Sequence, residues 1–440
     1  MDAEALTRSI SISSAPRKMR CPTCGTFGRR VRMRKRKVRS IEFKRILWLD
    51  VTYAEYVAKC DCCHSFHSCP EGIEPRAEYD NKVRQAVIDR ILKDKLNLSK
   101  IQECMQRDFL LNLSTGYIYS ALEYAIKQFD GHAFRQLVLT EFSGTLCVDE
   151  IHLGSRVVLI ATDPIADNPI ACALVSRNDA LHMQRFLQNL KNHGFDPKIV
   201  TTDRSLLYPV TIQKIWPNSK HQLCVFHVMA DVNECVLDGV REIRRSIVPK
   251  PRKKRKRGRP KNRQKARMKM LAERKRQADL IFRNRFLLVR KPSTLDISER
   301  NTLDKLFAIV PQLKKFRKFT VDLHQLFSLR RTEKKAWTLW RRMKRNRMYL
   351  QTPALARALK ILSKETMMKL LVYLGEVPMI RAKVRTNNHV ERTNRQVRYL
   401  EKVRYKWRRP KTIVRHILLQ FQVWIENKQI ARENAALGKK

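Results

Sequence analysis

The spacing of apolar side chains changes period several times along the chain, and each change marks a different kind of structure. Residues 31–50, VRMRKRKVRSIEFKRILWLD, are predicted to form a hairpin, and VTYAEYVAKC after them alternates with the period of two that a strand requires. Beyond Pro70 and Pro75 the period lengthens to that of a helix. Val83, Val87, Ile91 and Leu92 fall on one stripe over residues 81–95, and a second helix near 98–108, starting at Ser99, carries Ile101, Cys104 and Met105. The turn LLNLS ends on Ser114, a side chain suited to cap a third helix, GYIYSALEYAIKQF. Three short helices with a tight second connection fit a helix-turn-helix, whose last helix enters the major groove; a plain three-helix bundle has the same pattern. In a helix-turn-helix, Thr115, Tyr117, Tyr119 and Ser120 would form the exposed, base-facing side.

From residue 144 the chain changes to short apolar runs bounded by turns: GTLCVDEIH, RVVLIATD and NPIACALVS. A helix follows (DALHMQRFLQNLKNHG), then the strand KIVTTD, the helix YPVTIQKIWP and the strand KHQLCVFHV. Strand, strand, strand, helix, strand, helix, strand is the order of a ribonuclease-H-like α/β core. Residues 241–380 then carry helical signals almost throughout, an all-helical insertion in which Trp337 and Trp340 read as core anchors. The C-terminal KTIVRHILLQFQVWIENKQI puts Ile413, Ile417, Phe421 and Trp424 on one face of a helix that closes the core, with a dimer contact as the other reading. The expected fold class is multidomain α+β. It comprises a disordered N-terminus (1–17), a zinc-binding β module (18–75), a helix-turn-helix domain (76–132), and the ribonuclease-H-like core in two parts (140–240 and 381–430). The basic linker and helical insertion (241–380) separate those parts, and a tail (431–440) ends the chain.

Charge narrows the choice of partners. Lys and Arg number 92 against 41 acidic residues, a net +51. Such a field repels itself and points to a polyanion that neutralises it, here double-stranded DNA. No segment reaches the roughly 18 to 20 uninterrupted apolar residues of a spanning helix, so no membrane partner is expected. MDAEALTRSISISSAPRKMR lacks the apolar core of a signal peptide, which implies an intracellular, cytoplasmic and nucleoid-associated protein. The run SIVPKPRKKRKRGRPKNRQKARMK holds Gly258-Arg259-Pro260 between Arg257 and Lys261. That is the pattern of an AT-hook, although salt-dependent neutralisation of phosphates by any of these cations also accounts for it.

Six of the eleven cysteines lie between Cys21 and Cys69. Two CxxC knuckles offer four thiolates for a closed tetrahedral structural Zn²⁺, with Cys21, Cys24, Cys60 and Cys63 as the favoured set. Cys62, His64, His67 and Cys69 leave the ligand choice open. In the core, Asp149 lies on the first strand and Asp203 ends the fourth, and in this topology those strands are neighbours. Two Mg²⁺ ions about 3.5 to 4 Å apart, with Mn²⁺ as a substitute, can drive phosphodiester chemistry if a third carboxylate joins the aspartates. Glu391 is the candidate, on a helix where Arg392, Arg395 and Arg398 recur at threefold spacing beside a DNA backbone; Glu401 is the rival. Glu150, next to Asp149, is expected on the other face of the strand.

The order of these parts resembles the ISL-three group of insertion-sequence transposases in the DDE superfamily. The matching segments are CPTCG…KCDCC, CVDEIH, TTDRSLLYP…IWPNSKHQLCVFHV and TNNHVERTNRQVR. The second knuckle has an additional cysteine, and His389-Val390 replace a small residue before the last acid. The resemblance implies catalytic roles for Asp149, Asp203 and Glu391. It also implies a place for His227, in a CxxH element, near the scissile phosphate or against a ligand. It further implies recognition of terminal inverted repeats, cleavage and strand transfer, and a homodimer or larger assembly on DNA. A repressor on an inactive transposase scaffold and a nuclease without strand transfer are the alternatives.

Overall fold

The computed structural model describes residues 7–58, 65–248, 262–403 and 410–437, and the chain divides into two compact units, Met1–Gln136 with Arg395–Lys440, and Leu137–Asn394. In the first unit, β1 (Thr7–Ser14), β2 (Lys18–Arg20), β3 (Phe27–Glu42), β4 (Arg45–Val57) and β5 (Ser65–His67) form one sheet in the order β1-β4-β3-β2, with β5 also on β4. The expected hairpin is β3–β4, turned through Phe43 and a left-handed Lys44 at φ 58°. Val38, Leu47, Leu49 and Val51 bury one apolar cluster, and Cys21, Ala54, Tyr56 and Phe66 another. Residues 7–14 differ from the expected disorder. They pair parallel with Ile46–Tyr53, and the alternation in SISIS supplies Ile10 and Ile12 to the cluster around Val38.

Three helices follow, α1 (Asn81–Leu92), α2 (Leu98–Phe109) and α3 (Thr115–Gln128). Asp80, Asn97 and Ser114 cap them, each accepting from an amide three residues on; α2 thus starts from Asn97 rather than Ser99. Their apolar stripes meet in one cluster that includes Val83, Val87, Ile101, Met105 and Ile118. The C-terminal helix, α17 in chain order (Pro410–Leu437), belongs to this bundle: Leu419 and Val423 enter the cluster, and Gln420 Nε2 donates to the Leu92 carbonyl at 3.0 Å. The helix thus has a second apolar stripe beside the expected one. Ile413, Ile417 and Phe421 are buried as the stripe implies, but the adjacent stripe of Leu419 and Val423 meets α1 and α3.

The second unit follows α4 (Gly131–Thr140). Its sheet contains β6 (Thr145–Leu153), β7 (Arg156–Asp163), β8 (Asn168–Val175), β9 (Ile199–Thr202) and β10 (Lys220–Leu223), with α5 (Ala180–Asn192) and α6 (Tyr208–Ile215) between them. The order is β10-β9-β6-β7-β8, antiparallel among β6, β7 and β8 and parallel from β6 through β9 to β10. The first and fourth strands of the sheet are neighbours, as the element order requires.

After β10 comes α7 (Val225–Ile247), then α8 (Asn262–Asn284), α9 (Ile297–Ile309), α10 (Leu313–Leu326), α11 (Glu333–Arg345), α12 (Arg347–Leu350), α13 (Pro353–Ile361), α14 (Lys364–Leu370), α15 (Pro378–Val384) and α16 (Asn388–Val403). No strand interrupts them among the described residues. Val228, Val232, Val236 and Val240 of α7 pack with Phe316, Phe319, Leu355 and Leu359 in one apolar cluster. Trp337 and Trp340 lie half-buried against that cluster, and Trp340 Nε1 donates to the Leu362 carbonyl at 2.9 Å. No helix among the described residues is long and apolar enough to cross a membrane.

Gly239 of α7 lets that packing close up. A Cβ there would stand 2.4 Å from Phe316 Cε1 and 2.7 Å from Ala354 Cβ, whereas one on Gly375 would meet nothing within 4 Å. Gly239→Ala is expected to cost about 1 to 3 kcal/mol by overpacking. Gly375→Ala should stay within roughly 0.5 kcal/mol. Chemical denaturation of both variants measures the difference, and equal stabilities would refute this account of the α7 contact.

Candidate metal centre

The site begins with strand register. β6 and β9 run parallel with Thr145 opposite Ile199, Leu146 opposite Val200 and Cys147 opposite Thr201. Two residues further on each chain come Asp149 and Asp203, so both carboxylates emerge at one end of adjacent strands. Asp203 is the first residue beyond β9, and its Oδ1 accepts the Ser205 amide at 2.9 Å.

The third acid returns after 187 residues because the chain before it is tied down on both sides. Thr201 Oγ1 donates to the Val384 carbonyl at 3.0 Å, and the Val225 amide donates to the Arg385 carbonyl at 3.1 Å. Glu391 then lies in the first turn of α16. One turn later Asn394 Nδ2 donates to Asp149 Oδ2 at 2.7 Å, which fixes this helix against β6. Glu391 Oε1 stands 3.7 Å from His227 Nε2, too far for a hydrogen bond. Cys224, at the N-cap of α7, completes a trio whose donor atoms lie within 4.8 Å of one another.

Electrostatics show how closely these groups crowd. Burial, then the charges of Glu150, Asp203 and Glu391, push the Asp149 carboxyl up to about 7. Burial and Glu150 also raise Asp203. The hydrogen bond that the protonated ring donates to the Cys224 sulfur, together with the charges of Glu391 and Asp203, outweighs burial and pushes His227 up to about 9. Among the described residues, Glu391 Oε1, Asn394 Oδ1 and His227 Nδ1 are buried atoms without a hydrogen-bond partner. Crowded carboxylates, one with an unsatisfied oxygen, suit a hard divalent cation, and the Cys224–His227–Glu391 trio offers a softer donor set.

Two members of the cluster escape sequence reasoning. Strand alternation does turn Glu150 away from Asp149, but Tyr208 of α6 waits on that face. The Tyr208 hydroxyl donates to one Glu150 oxygen and Asn178 Nδ2 to the other at 2.8 Å, leaving the Glu150 charge near both aspartates. Asn394 was readable only as the residue three beyond Glu391 in VERTN, on the same helix face. Glu401, the rival acid, lies ten residues past Glu391, about 15 Å further along the helix axis.

Arg392 is paired with Asp167, which His389 Nε2 also meets at 2.8 Å, and Arg392, Arg395 and Arg398 are all exposed. Thr115, Tyr119 and Ser120 are exposed. Tyr117 corrects the expectation for its helix. Its ring packs on Tyr79 at 4.6 Å, and burial pushes its phenol up to about 12, because its position on α3 faces the bundle. In the N-terminal module the Thr23 amide donates to Cys21 Sγ at 3.4 Å, and Gly25 takes φ 77° behind it. Cys60, Cys62, Cys63 and His64 lie outside the described residues, as do Arg257, Arg259 and Lys261.

A transposase family model, that of the ISL-three DDE type, matches residues 146–414. This chain belongs to that family. It is therefore a transposase by descent, a DNA-processing protein of a class that uses divalent metal. Among solved structures it is similar to the Drosophila P element transposase strand transfer complex, at 11% identity over 80% of this chain and 93% of that one, with a TM-score of 0.39. No curated protein sequence matches the chain.

The raised Asp149 carboxyl has a consequence for stability. The folded state holds a proton that the unfolded state, with the ordinary value of 3.8, releases, so this carboxyl's contribution to metal-free stability falls as pH rises from about 4 to 7. A displacement of that size is worth on the order of 4 kcal/mol. Asp149→Asn should thus raise the melting temperature of the metal-free protein at pH 8 by several degrees and change it little at pH 4. Thermal denaturation at both pH values checks this; an equal effect at both would refute it.

Proposed function

We propose that this transposase cuts and joins DNA by metal-dependent phosphoryl transfer, with Asp149, Asp203 and Glu391 as its catalytic acids on a ribonuclease-H-like core. The observation that carries this reading is the parallel β6–β9 register that sets the two aspartates level, with Glu391 and Asn394 of α16 brought against them. The three carboxylates would hold two Mg²⁺ ions, Mn²⁺ substituting. Bound there, the ions supply Lewis-acid stabilisation of charge on the phosphodiester and on its attacking and leaving oxygens.

The protein's own groups do the rest. Asn394 fixes the rotamer of Asp149, and the Ser205 amide fixes that of Asp203. Tyr208 and Asn178 hold Glu150 where its charge deepens the negative potential that draws cations in. His227 keeps its proton at neutral pH and so presents a positive charge beside Glu391 and a donor for a phosphate oxygen. Water would break the phosphodiester to leave a 3′-hydroxyl and a 5′-phosphate, and that hydroxyl would then attack a target phosphodiester and release a target 3′-hydroxyl, with no covalent protein–DNA intermediate.

In this reading the zinc module, with Zn²⁺ on Cys21, Cys24, Cys60 and Cys63, and the helices α1–α3 recognise the terminal inverted repeats. Thr115, Tyr119 and Ser120 face the bases. Arg395 and Arg398 lie along a DNA backbone, the linker residues Arg257, Arg259 and Lys261 enter A·T minor grooves, and the active assembly is a homodimer or larger, at the bacterial nucleoid.

Asp203→Asn should abolish Mg²⁺-dependent cleavage of end-containing DNA while leaving end binding within about twofold. Equal loss of both would make the acid structural. Asn394→Ala should lower the cleavage rate about 10- to 100-fold and raise the Mg²⁺ concentration needed, as loss of a ligand-orienting partner does. An unchanged metal requirement would remove its positioning role. Wild-type protein that binds ends without nicking them would favour the repressor, and nicks without joined products would favour the nuclease.

A further inference from the structure

Far along α7 from the acids, four side chains form a ladder that the cutting chemistry does not use. The Arg244 guanidinium lies over the Phe282 ring at 4.6 Å, and Arg285 lies between Phe282 at 4.1 Å and Phe286 at 4.3 Å. Charge and ring faces therefore alternate across α7, α8 and the turn after it. The ladder walls a cavity of about 190 Å³, completed by Leu237, Val240, Arg241 and Ile281, with no carboxylate in its lining. Asp238 pairs with Arg241 at its edge. Phe282 and Phe286 remain 45% and 55% exposed. Arg244 Nε is buried and has no hydrogen-bond partner among the described residues.

We propose that this ladder is a second DNA subsite that holds unpaired bases. Large exposed rings mark a surface that something covers, and guanidinium groups without acids select an anion. A duplex offers only its phosphates, since its base faces are stacked on each other. Rings flanked by guanidinium groups gain most from free base faces, with the arginines meeting the adjacent phosphates. Position gives the spacing. Arg244 stands 17 residues beyond His227 on one continuous helix, about 26 Å at 1.5 Å per residue. At 3.4 Å per nucleotide pair, that spans about seven to eight base pairs. The subsite thus suits a strand opened roughly that far from the cut.

The inference rests on the DNA-processing assignment but not on the identity of the catalytic acids. The test uses the full chain and a twelve-nucleotide single strand carrying 5-iodouracil, irradiated and mapped by peptide mass, with affinities for single- and double-stranded oligonucleotides measured in parallel. Cross-links should fall on Phe282 or Phe286. Phe282→Leu with Phe286→Leu, which keeps apolar cover while removing both rings, should lower single-strand affinity roughly five- to hundredfold and duplex affinity less than twofold. Arg285→Lys should weaken single-strand binding while preserving charge. Cross-links elsewhere, or equal loss for both oligonucleotides, would overturn the subsite. Asp203→Asn should cross-link like the wild type. A chain that cross-links here yet never cuts DNA supports the subsite and sinks the catalytic reading instead.

Discussion

Mutual repulsion among carboxylates is the constraint that the second unit is built to withstand. Asp149, Glu150, Asp203 and Glu391 crowd a partly buried region; burial and the charges of the other three raise the cost of ionising Asp149, and burial and Glu150 raise that of Asp203. No arrangement of flexible loops would keep them together at neutral pH. The protein resists with a rigid frame. Parallel backbone pairing fixes the two aspartates, and the Asn394–Asp149 bond draws the helix of Glu391 inward against the gradient. Local stability is given up where chemistry needs a cation, and is supplied by packing elsewhere.

Much of that supply comes from the helical segment between the second and third acids. α7 starts beside the site with Cys224 and His227 and continues as the centre of the apolar cluster that α10 and α13 surround. The edge strand β10 is tied to the same segment, since Gln222 donates to the Leu370 carbonyl and accepts the Tyr373 amide at 2.8 Å. An exposed edge would otherwise invite pairing with another chain. The insertion is therefore a brace for the sheet as well as a spacer. Its last residues deliver α16 to β6 by way of the contacts at Val384 and Arg385.

What could be read without coordinates was whatever a period or a neighbour rule specifies. Apolar runs gave the strands of the second sheet, and their order made the first and fourth adjacent, so Asp149 and Asp203 were readable as a pair. Helical stripes gave α1 to α3 for the same reason. Tertiary contacts were not readable. Tyr117 looked exposed because nothing in its own helix shows that Tyr79 lies opposite. α17 has two usable stripes, and only the presence of α1 and α3 decides that Leu419 and Val423 pack there. Glu150 obeyed the alternation rule and still reached the cluster, because Tyr208 arrives from a helix 58 residues away. Strand β1 was hidden by its small, polar composition, which reads as disorder until β4 offers a partner edge.

The same repulsion bears on how a polyanion can be handled at this site. A cluster of carboxylates repels phosphate, so the net charge of +51 cannot by itself bring a scissile phosphodiester into contact with the acids. In the proposed reading, exposed arginines such as Arg395 and Arg398 would attract DNA to the surface over distances set by the Debye length, about 8 to 10 Å in physiological salt. Inside that distance the sign of the local potential decides. With the acids uncompensated, the potential at the site opposes the approach of phosphate; the divalent cations of the proposed mechanism would offset that charge. Capture of DNA and its engagement for cutting are therefore separable in the proposed mechanism. There the basic surface would perform the first without metal, and the acid cluster would permit the second only once bound cations offset its charge.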